Sequence, residues 1–275
     1  MCKAIPLEIL SIMENKNDRP LVSFIVTTYN LPTTLLCECL QSILSLSLSK
    51  EEREIIVVDD GSEVSPLNDL VELRDKIVYV RQRNKGLSEA RNMGLVCAQG
   101  KFIQFVDGDD YLIQAPYEHC LDIARYKDAD IILFHETEEE QPEVPFECNG
   151  PMTGSAYMHQ YNLRASACGY LFRANILGNL RFTPNLLHED EEFTPQLFLR
   201  AEHMYFTPSK AYYYRQRSGS ITQEDNMRHM AKRLDDTESI ILRLLDIAQH
   251  SPEMERVALN RRIAQLTMDH LYNII

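Results

Sequence analysis

No apolar run in the chain approaches the ~20 residues that span a bilayer. The N-terminus also lacks a basic patch followed by an apolar core. The sequence therefore predicts neither a transmembrane segment nor a secretory leader, and any membrane association is expected to be peripheral. Basic residues are scarce: 28 Lys and Arg stand against 41 Asp and Glu, a formal net charge of -13 over 275 residues. Such a surface repels a phosphate backbone and predicts no nucleic-acid partner, although a local basic patch can still hold a small phosphate ligand. The seven cysteines, at positions 2, 37, 39, 97, 120, 148 and 168, contain no C-x-x-C pair. Cys37 and Cys39 are too close for a zinc knuckle. An odd number of unclustered cysteines is expected as reduced thiols in a cytoplasmic protein. No H-x-x-x-H or H-E-x-x-H pairing occurs, so no histidine is assigned to zinc. Neither G-x-x-x-x-G-K-[ST] nor G-x-G-x-x-G is present, which speaks against a P-loop NTPase and a dinucleotide site. Internal repeats and low-complexity tracts are also missing.

What is present is ordinary globular material, 44% hydrophobic and 25% charged, enough for a sizeable core. Residues 1–19 read as an arm. From residue 21 on, short β-branched runs alternate with helical stretches: strands at 21–28, 54–58, 77–80, 102–106 and 131–134, and helices at 33–46, 66–75, 86–99 and 114–126. Pro32 suits the start of the first helix and Gly100 the end of the third. This alternation predicts an α/β fold with a mostly parallel central sheet flanked by helices. Residues 136–150 are acidic with two prolines and read as a loop. Residues 153–215 mix short elements, and 221–275 are helical with a break near Ser251-Pro252. In open α/β sheets ligands bind at the carboxyl ends of the strands. Tyr29-Asn30, Asp59-Asp60 and Asp107 to Asp110 are therefore expected to converge on one edge.

Each polar cluster allows two readings. Asp107-Gly108-Asp109-Asp110 is either a solvated acidic turn or a site where a hard divalent cation relieves three crowded carboxylates. Asp59-Asp60-Gly61-Ser62 either caps a helix or accepts hydrogen bonds from a nucleobase and ribose. Residues 81–94, with Arg83, Lys85 and Arg91, are a charged turn or an anion site at a helix start. His188-Glu189-Asp190-Glu191-Glu192 either favours the positive end of the next helix or supplies a general base. Arg215 and Arg217 beside Ser218-Gly219-Ser220 form a strand edge or hold a diphosphate.

Taken in order, these segments resemble the family 2 glycosyltransferases with their GT-A fold. The matching stretches are V-S-F-I-V-T-T-Y-N at 22–30, V-V-D-D-G-S at 57–62, N-K-G-L-S-E-A-R-N-M-G at 84–94, G-K-F-I-Q-F-V-D-G-D-D at 100–110, H-E-D-E-E-F at 188–193 and Y-Y-Y-R-Q-R-S-G-S-I-T at 212–222. The resemblance implies a GT-A domain over 20–222, divided into a nucleotide-binding half at 20–134 and an acceptor-side half at 135–222. A C-terminal helical extension would follow at 223–275. It implies nucleotide contacts from Thr28, Tyr29, Asn30, Asp59, Asp60, Lys85, Arg91 and Asp107. Asp109 would bind Mn²⁺ or Mg²⁺ with Asp107 beside it, and Asp110 would sit near the donor sugar. Asp190, or failing it Glu189, would be the catalytic base, and Arg215, Arg217 and Ser220 would reach the diphosphate. The implied reaction is inverting transfer of a sugar from a nucleotide-diphosphate sugar, UDP-linked by analogy, to a saccharide or lipid-linked saccharide acceptor. The implied setting is surface-polysaccharide synthesis at the inner face of the membrane, with the C-terminal helices serving membrane contact or a homodimer. A nucleotidyltransferase would share the acidic site, but calls for a Gly- and Lys-rich loop where Tyr29-Asn30-Leu31-Pro32 stand. An inactive nucleotide-sugar-binding protein would not need every carboxylate present. The family pattern often has proline where Thr27 stands and glycine where His188 stands.

Overall fold

The computed structural model of the chain describes residues 19–139, 146–216 and 227–274. Its strands are β1 (Val22–Thr28), β2 (Arg53–Asp59), β3 (Val78–Arg81), β4 (Phe102–Asp107), β5 (Tyr111–Leu112), β6 (Ile131–Thr137), β7 (Asn149–Met152), β8 (Tyr170–Arg173) and β9 (Met204–Tyr213). The helices are α1 (Thr33–Leu44), α2 (Leu87–Cys97), α3 (Gln114–Tyr126), α4 (Gly154–Gln160), α5 (Asp190–Phe198), α6 (Met227–His250) and α7 (Glu253–Ile274).

All described strands belong to one sheet in the order β3-β2-β1-β4-β8-β6-β9-β5, with β7 paired to β9. β1 to β4, β6 and β9 run in the same direction, and β5, β7 and β8 oppose them. The expected mostly parallel sheet is thus what the chain forms. β1 is buried along its whole length, which suits a β-branched run flanked on both sides by parallel partners. The chain leaves β1 toward β2 on one side and returns to β4 on the other. The strand order therefore reverses between β1 and β4, where Thr27 lies opposite Asp107. A crevice at the carboxyl ends of the strands opens at such a reversal.

Helices cover the sheet through apolar stripes. In α1, Leu36, Cys39, Leu40 and Ile43 are buried at helical spacing. α2 starts at Gly86, whose φ of 88° suits glycine. It crosses β1 so closely that a Cβ on Gly94 would lie 2.2 Å from the Ile25 Cγ2. α6 and α7 form a hairpin across the expected break at Ser251-Pro252. Ile240, Leu244 and Ala248 meet Leu259, Ile263 and Leu266, and Leu186 joins that cluster. Arg262 of α7 donates to the Leu163 carbonyl at 2.7 Å and pairs with Glu191 of α5.

Some elements depart from the expectation. Residues 66–75 make two 3₁₀ turns, Pro66–Asn68 and Val71–Lys76, because only Pro66 and Leu70 are buried there and no stripe exists to carry a helix. The loop expected at 136–150 is partly strand: β6 runs on to Thr137, and β7 begins at Asn149. β5 and β7 are too short for a period to register. The six described cysteines are free, and no helix among the described residues is long and apolar enough to cross a membrane.

The contact between Gly94 and Ile25 gives a stability prediction. Gly94→Ala forces α2 off β1 and is expected to cost about 2 kcal/mol, the usual penalty of overpacking. The thermal midpoint should fall by several degrees; a midpoint equal to the wild type would show that the helix can shift freely.

Candidate functional site

Beyond the carboxyl ends of the parallel strands lies a cleft of about 380 Å³. Asp107 and Asp110 reach it from the end of β4, Glu136 from β6, Tyr212 from β9, Arg91 from α2, and Asp190 from the start of α5. Residues more than 100 positions apart thus meet in one space, Asp107 and Asp110 among them, while Tyr29, Asn30, Asp59 and Asp60 do not line it.

The turn after β4 is tightly built. Gly108 N–H donates to the Thr27 carbonyl at 3.0 Å, and a Cβ there would meet the same oxygen at 2.8 Å, so only glycine fits. Asp107 N–H donates to the Tyr212 hydroxyl at 3.0 Å, which donates to Asp110 Oδ2 at 2.8 Å. Arg215 N–H donates to Asp110 Oδ1 at 2.8 Å. Burial first, then the charge of Asp107, pushes the Asp110 carboxyl up to about 8, against the pull of these donors. Crowded negative charge beside hard oxygen donors is the condition a divalent cation relieves. Among the described residues no three His, Cys, Asp or Glu side chains already converge as a metal cage. A cation here would therefore depend on one or two carboxylates and on oxygens brought by a ligand.

The row 188–192 is sorted by its surroundings. Glu189 is buried against Arg91, whose Nη1 lies 2.5 Å from Oε1. Glu191 pairs with Arg262, and Glu192 accepts from Thr183 at 2.6 Å with Arg243 at 3.4 Å. Asp190 alone of the four has no ion pair or side-chain hydrogen bond among the described residues, and it is half-buried on the cleft. Burial raises its pKa, and Glu189, Asp107 and Glu136 add to the rise while Arg91 opposes it.

Arg91 joins the two sides. Its Nη2 lies 3.1 Å from Asp107 Oδ1 while Nη1 holds Glu189, and the guanidinium carbon sits 5.8 Å from the Phe105 ring centre and 5.5 Å from that of Phe182. Removing one partner of such a buried pair typically costs ~3–5 kcal/mol.

The other expected residues fall elsewhere. Asp59 is fully buried and saturated, accepting from Ser62 N–H at 2.8 Å and the Tyr79 hydroxyl at 2.7 Å, with Arg81 Nε at 3.2 Å. Asp60 accepts from the backbone N–H of Lys85 at 2.9 Å and of Gly86 at 2.8 Å, and from the Gln82 amide at 2.7 Å. Both carboxylates thus shape the loop before α2. A separate shallow groove lined by Gly61, Arg81, Gln82, Arg83 and Asn84 adjoins this loop. Thr28 is buried at the end of β1, Tyr29 is 48% exposed just past it, and Lys85 is exposed. Asn30, at φ 47°, accepts from Glu63 N–H at 2.8 Å. Asp109 is half-buried and does not line the cleft; its carbonyl accepts from Arg215 Nε at 2.9 Å. The Arg215 guanidinium turns to Glu38, 2.6 Å away, and to the rings of Tyr111 and Tyr213. Arg217 and Ser220 lie outside the described residues. Sequence reasoning passed over Glu136, which the strand-end rule would have found had β6 been read to its full length. It also passed over His229, Lys232 and Arg233, which line the cleft from α6 and carry no motif.

Residues 23–151 match the profile of Glycosyl transferase family 2. Glycosyltransferase EpsJ of Bacillus subtilis (strain 168) is 31% identical over 223 residues, 74% of this chain and 63% of EpsJ, so the chain spans under two thirds of that relative. A crystal structure of S. aureus TarS 1–349 in complex with UDP-GlcNAc superposes with a TM-score of 0.72 at 23% identity, covering 90% of this chain and 71% of that one. The mannosyltransferase PcManGT from Pyrobaculum calidifontis, solved with GDP-Man and Mn²⁺, superposes with a TM-score of 0.63 at 15% identity, covering 94% and 72%.

The raised pKa of Asp110 has a signed consequence. Its folded value lies above the unfolded value of about 4, so the stability it contributes is present at low pH and is lost as pH rises toward 8. Metal-free wild type should lose more thermal stability between pH 5.5 and 8 than Asp110→Asn, since other titrating groups are common to both proteins. Parallel melting curves for the two would refute the assignment.

Proposed function

We propose that the chain is a family 2 glycosyltransferase of GT-A fold, and that it transfers a sugar from a nucleotide-diphosphate donor to an acceptor hydroxyl with inversion. The observation that carries this reading is Asp190. Among the described residues it is the one carboxylate of its row left without a cation, and it opens on the same cleft as Asp107 and Asp110. A hydroxyl is a weak nucleophile until a positioned base takes its proton. Asp190 is that base; Glu189 is spent on Arg91 and serves to hold the start of α5.

In a single displacement, Asp190 accepts the proton as the acceptor oxygen bonds to the anomeric carbon on the face opposite the leaving group. The bond from that carbon to the diphosphate oxygen breaks, and the bonding pair leaves with the nucleotide. Asp107 and Asp109 would hold Mn²⁺ or Mg²⁺, since carboxylate oxygens suit a hard cation and the raised pKa of buried Asp110 marks a turn that a cation would relieve. Such an ion stabilises charge developing on the leaving diphosphate. The exposed ring of Tyr29 and the loop shaped by Asp59 and Asp60 would receive the nucleobase. Uridine diphosphate is the assigned carrier, by analogy with the TarS complex. Arg215 would have to leave Glu38 to meet the diphosphate. Surface-polysaccharide synthesis on the cytoplasmic side of the membrane is the assigned setting, and it rests on the family alone.

Two measurements test the reading. Asp190→Asn is isosteric but cannot take a proton; transfer should fall on the order of 10²–10⁴-fold while donor binding, followed by calorimetry, stays near wild type. Undiminished turnover would remove Asp190 as the base. An α-linked donor should yield a β-linked product by NMR, and retention of configuration would exclude the single displacement.

A further inference from the structure

Glu136 lines the cleft and has no part in the chemistry above. It stands near the end of β6, where the ladder to β9 is irregular: the register shifts between Leu133 and His135 and again between His135 and Glu136. Irregularities of this kind re-aim side chains and concentrate beside sites. Beyond the shifts Glu136 is paired with Tyr212. Residues directly paired across neighbouring strands share a face, so the carboxylate stands on the face from which the Tyr212 hydroxyl donates to Asp110 Oδ2 at 2.8 Å. Its charge also reaches Asp190, whose pKa is raised first by burial and then by Glu189, Asp107 and Glu136.

The two oxygens of Glu136 are unequally used. The side chain is 8% exposed, and Arg164 Nη2 lies 2.7 Å from Oε2. A carboxylate so enclosed needs that partner. Paired with a guanidinium, it is not a carboxylate that a metal ion would relieve. Oε1 takes no hydrogen bond from any described residue, and Gly169 faces it without a side chain: a Cβ added there would meet Oε1 at 3.7 Å. A charged oxygen short of donors accepts strongly from a hydroxyl, and a sugar ring carries hydroxyls on adjacent carbons. In the displacement above, the transferred ring lies between the acceptor oxygen at Asp190 and the diphosphate at the end of β4. Glu136 faces the space into which Asp110 and Asp190 both open.

We infer that Glu136 is a specificity-determining residue whose Oε1 accepts a hydrogen bond from a hydroxyl of the transferred sugar, so that the donor presents a free ring hydroxyl toward the end of β6. This deepens the transferase reading and rests on it.

UDP, UDP-glucose, UDP-galactose and UDP-N-acetylglucosamine are the probes, titrated calorimetrically into the full chain with Mg²⁺ and into Glu136→Gln and Arg164→Gln. Glu136→Gln is isosteric and removes the charge that strengthens the hydrogen bond. At least one sugar nucleotide should bind the wild type more tightly than UDP. Glu136→Gln should weaken that sugar nucleotide about tenfold, the loss of charge assistance in one hydrogen bond, and leave UDP affinity unchanged, which also shows the fold intact. Arg164→Gln should keep the advantage of the sugar nucleotide over UDP, because its guanidinium is largely exposed and contributes little. An undiminished advantage in Glu136→Gln would overturn the proposal, as would equal weakening of UDP, an equal loss in Arg164→Gln, or a wild type that binds no sugar nucleotide better than UDP. Failure of UDP and all three sugar nucleotides to bind the wild type would instead sink the transferase reading, and the role of Glu136 with it.

Discussion

The site depends on one buried guanidinium. Arg91 is 4% exposed and holds Asp107, at the end of β4, and Glu189, at the start of α5, in the same grip. Those two carboxylates belong to opposite halves of the cleft and lie more than 80 residues apart in sequence. Unpaired, each would repel the other and Asp190; with Arg91 between them the acidic cluster becomes tolerable. The rings of Phe105 and Phe182 fix the guanidinium from its faces. The relative placement of a strand-end aspartate and a helix-start aspartate is thereby set by a residue of α2, and α2 is in turn set by the absence of a side chain at Gly94.

The C-terminal hairpin extends the same logic outward. Its helices bury Leu186, its Asp236 and Lys232 hold the turn that leads to Asp190, and its Arg262 and Arg243 neutralise Glu191 and Glu192. Four acidic residues in a row would make a diffuse negative patch. With three partners taken up by cations from α2, α6 and α7, Asp190 is the one whose charge is left to the cleft. The hairpin is therefore part of what makes one carboxylate chemically different from its neighbours.

The strand-and-helix alternation of residues 21–134 was legible because its strands are continuous β-branched runs, and continuous burial is what a central parallel strand requires. Of the residues that the strand-end rule expects to converge, Tyr29-Asn30, Asp59-Asp60 and Asp107 to Asp110, only Asp107 and Asp110 line the cleft, and Asp190 was singled out by the ordered motifs instead. The division of labour within those motifs was not legible. Asp59 and Asp60 read alike on paper, yet both spend their oxygens on the loop before α2, because whether a carboxylate is saturated depends on backbone N–H groups brought in by the tertiary fold. Asp107, Asp109 and Asp110 also read alike, and only the fold shows that Asp107 and Asp110 line the cleft while Asp109 stands beside it. The strands β5 and β7 left no trace because two to four residues are too few to show a period. The basic face of α6 escaped for a different reason: on a helix with 9 acidic and 7 basic residues in its surrounding stretch of 223–275, charge count carries no direction, and only packing decides which side chains face the cleft.

Charge in this protein is thus organised by position rather than by total. A chain of net charge -13 would repel any anionic substrate approached as a sphere, and at physiological salt that field is screened within about 8 Å. Inside the cleft the relevant distances are shorter than this, so local pairing governs. Cations that are already matched, Arg91, Arg262 and Lys232, stabilise the walls and attract little further. What remains to act on a ligand is the Asp190 carboxylate, without a cation among the described residues, and the acidic strand end at Asp107 and Asp110. Both residual charges face one volume, and both are of the sign that attracts a proton or a cation rather than a further anion. A fold that merely tolerated its acidic motifs would have neutralised both.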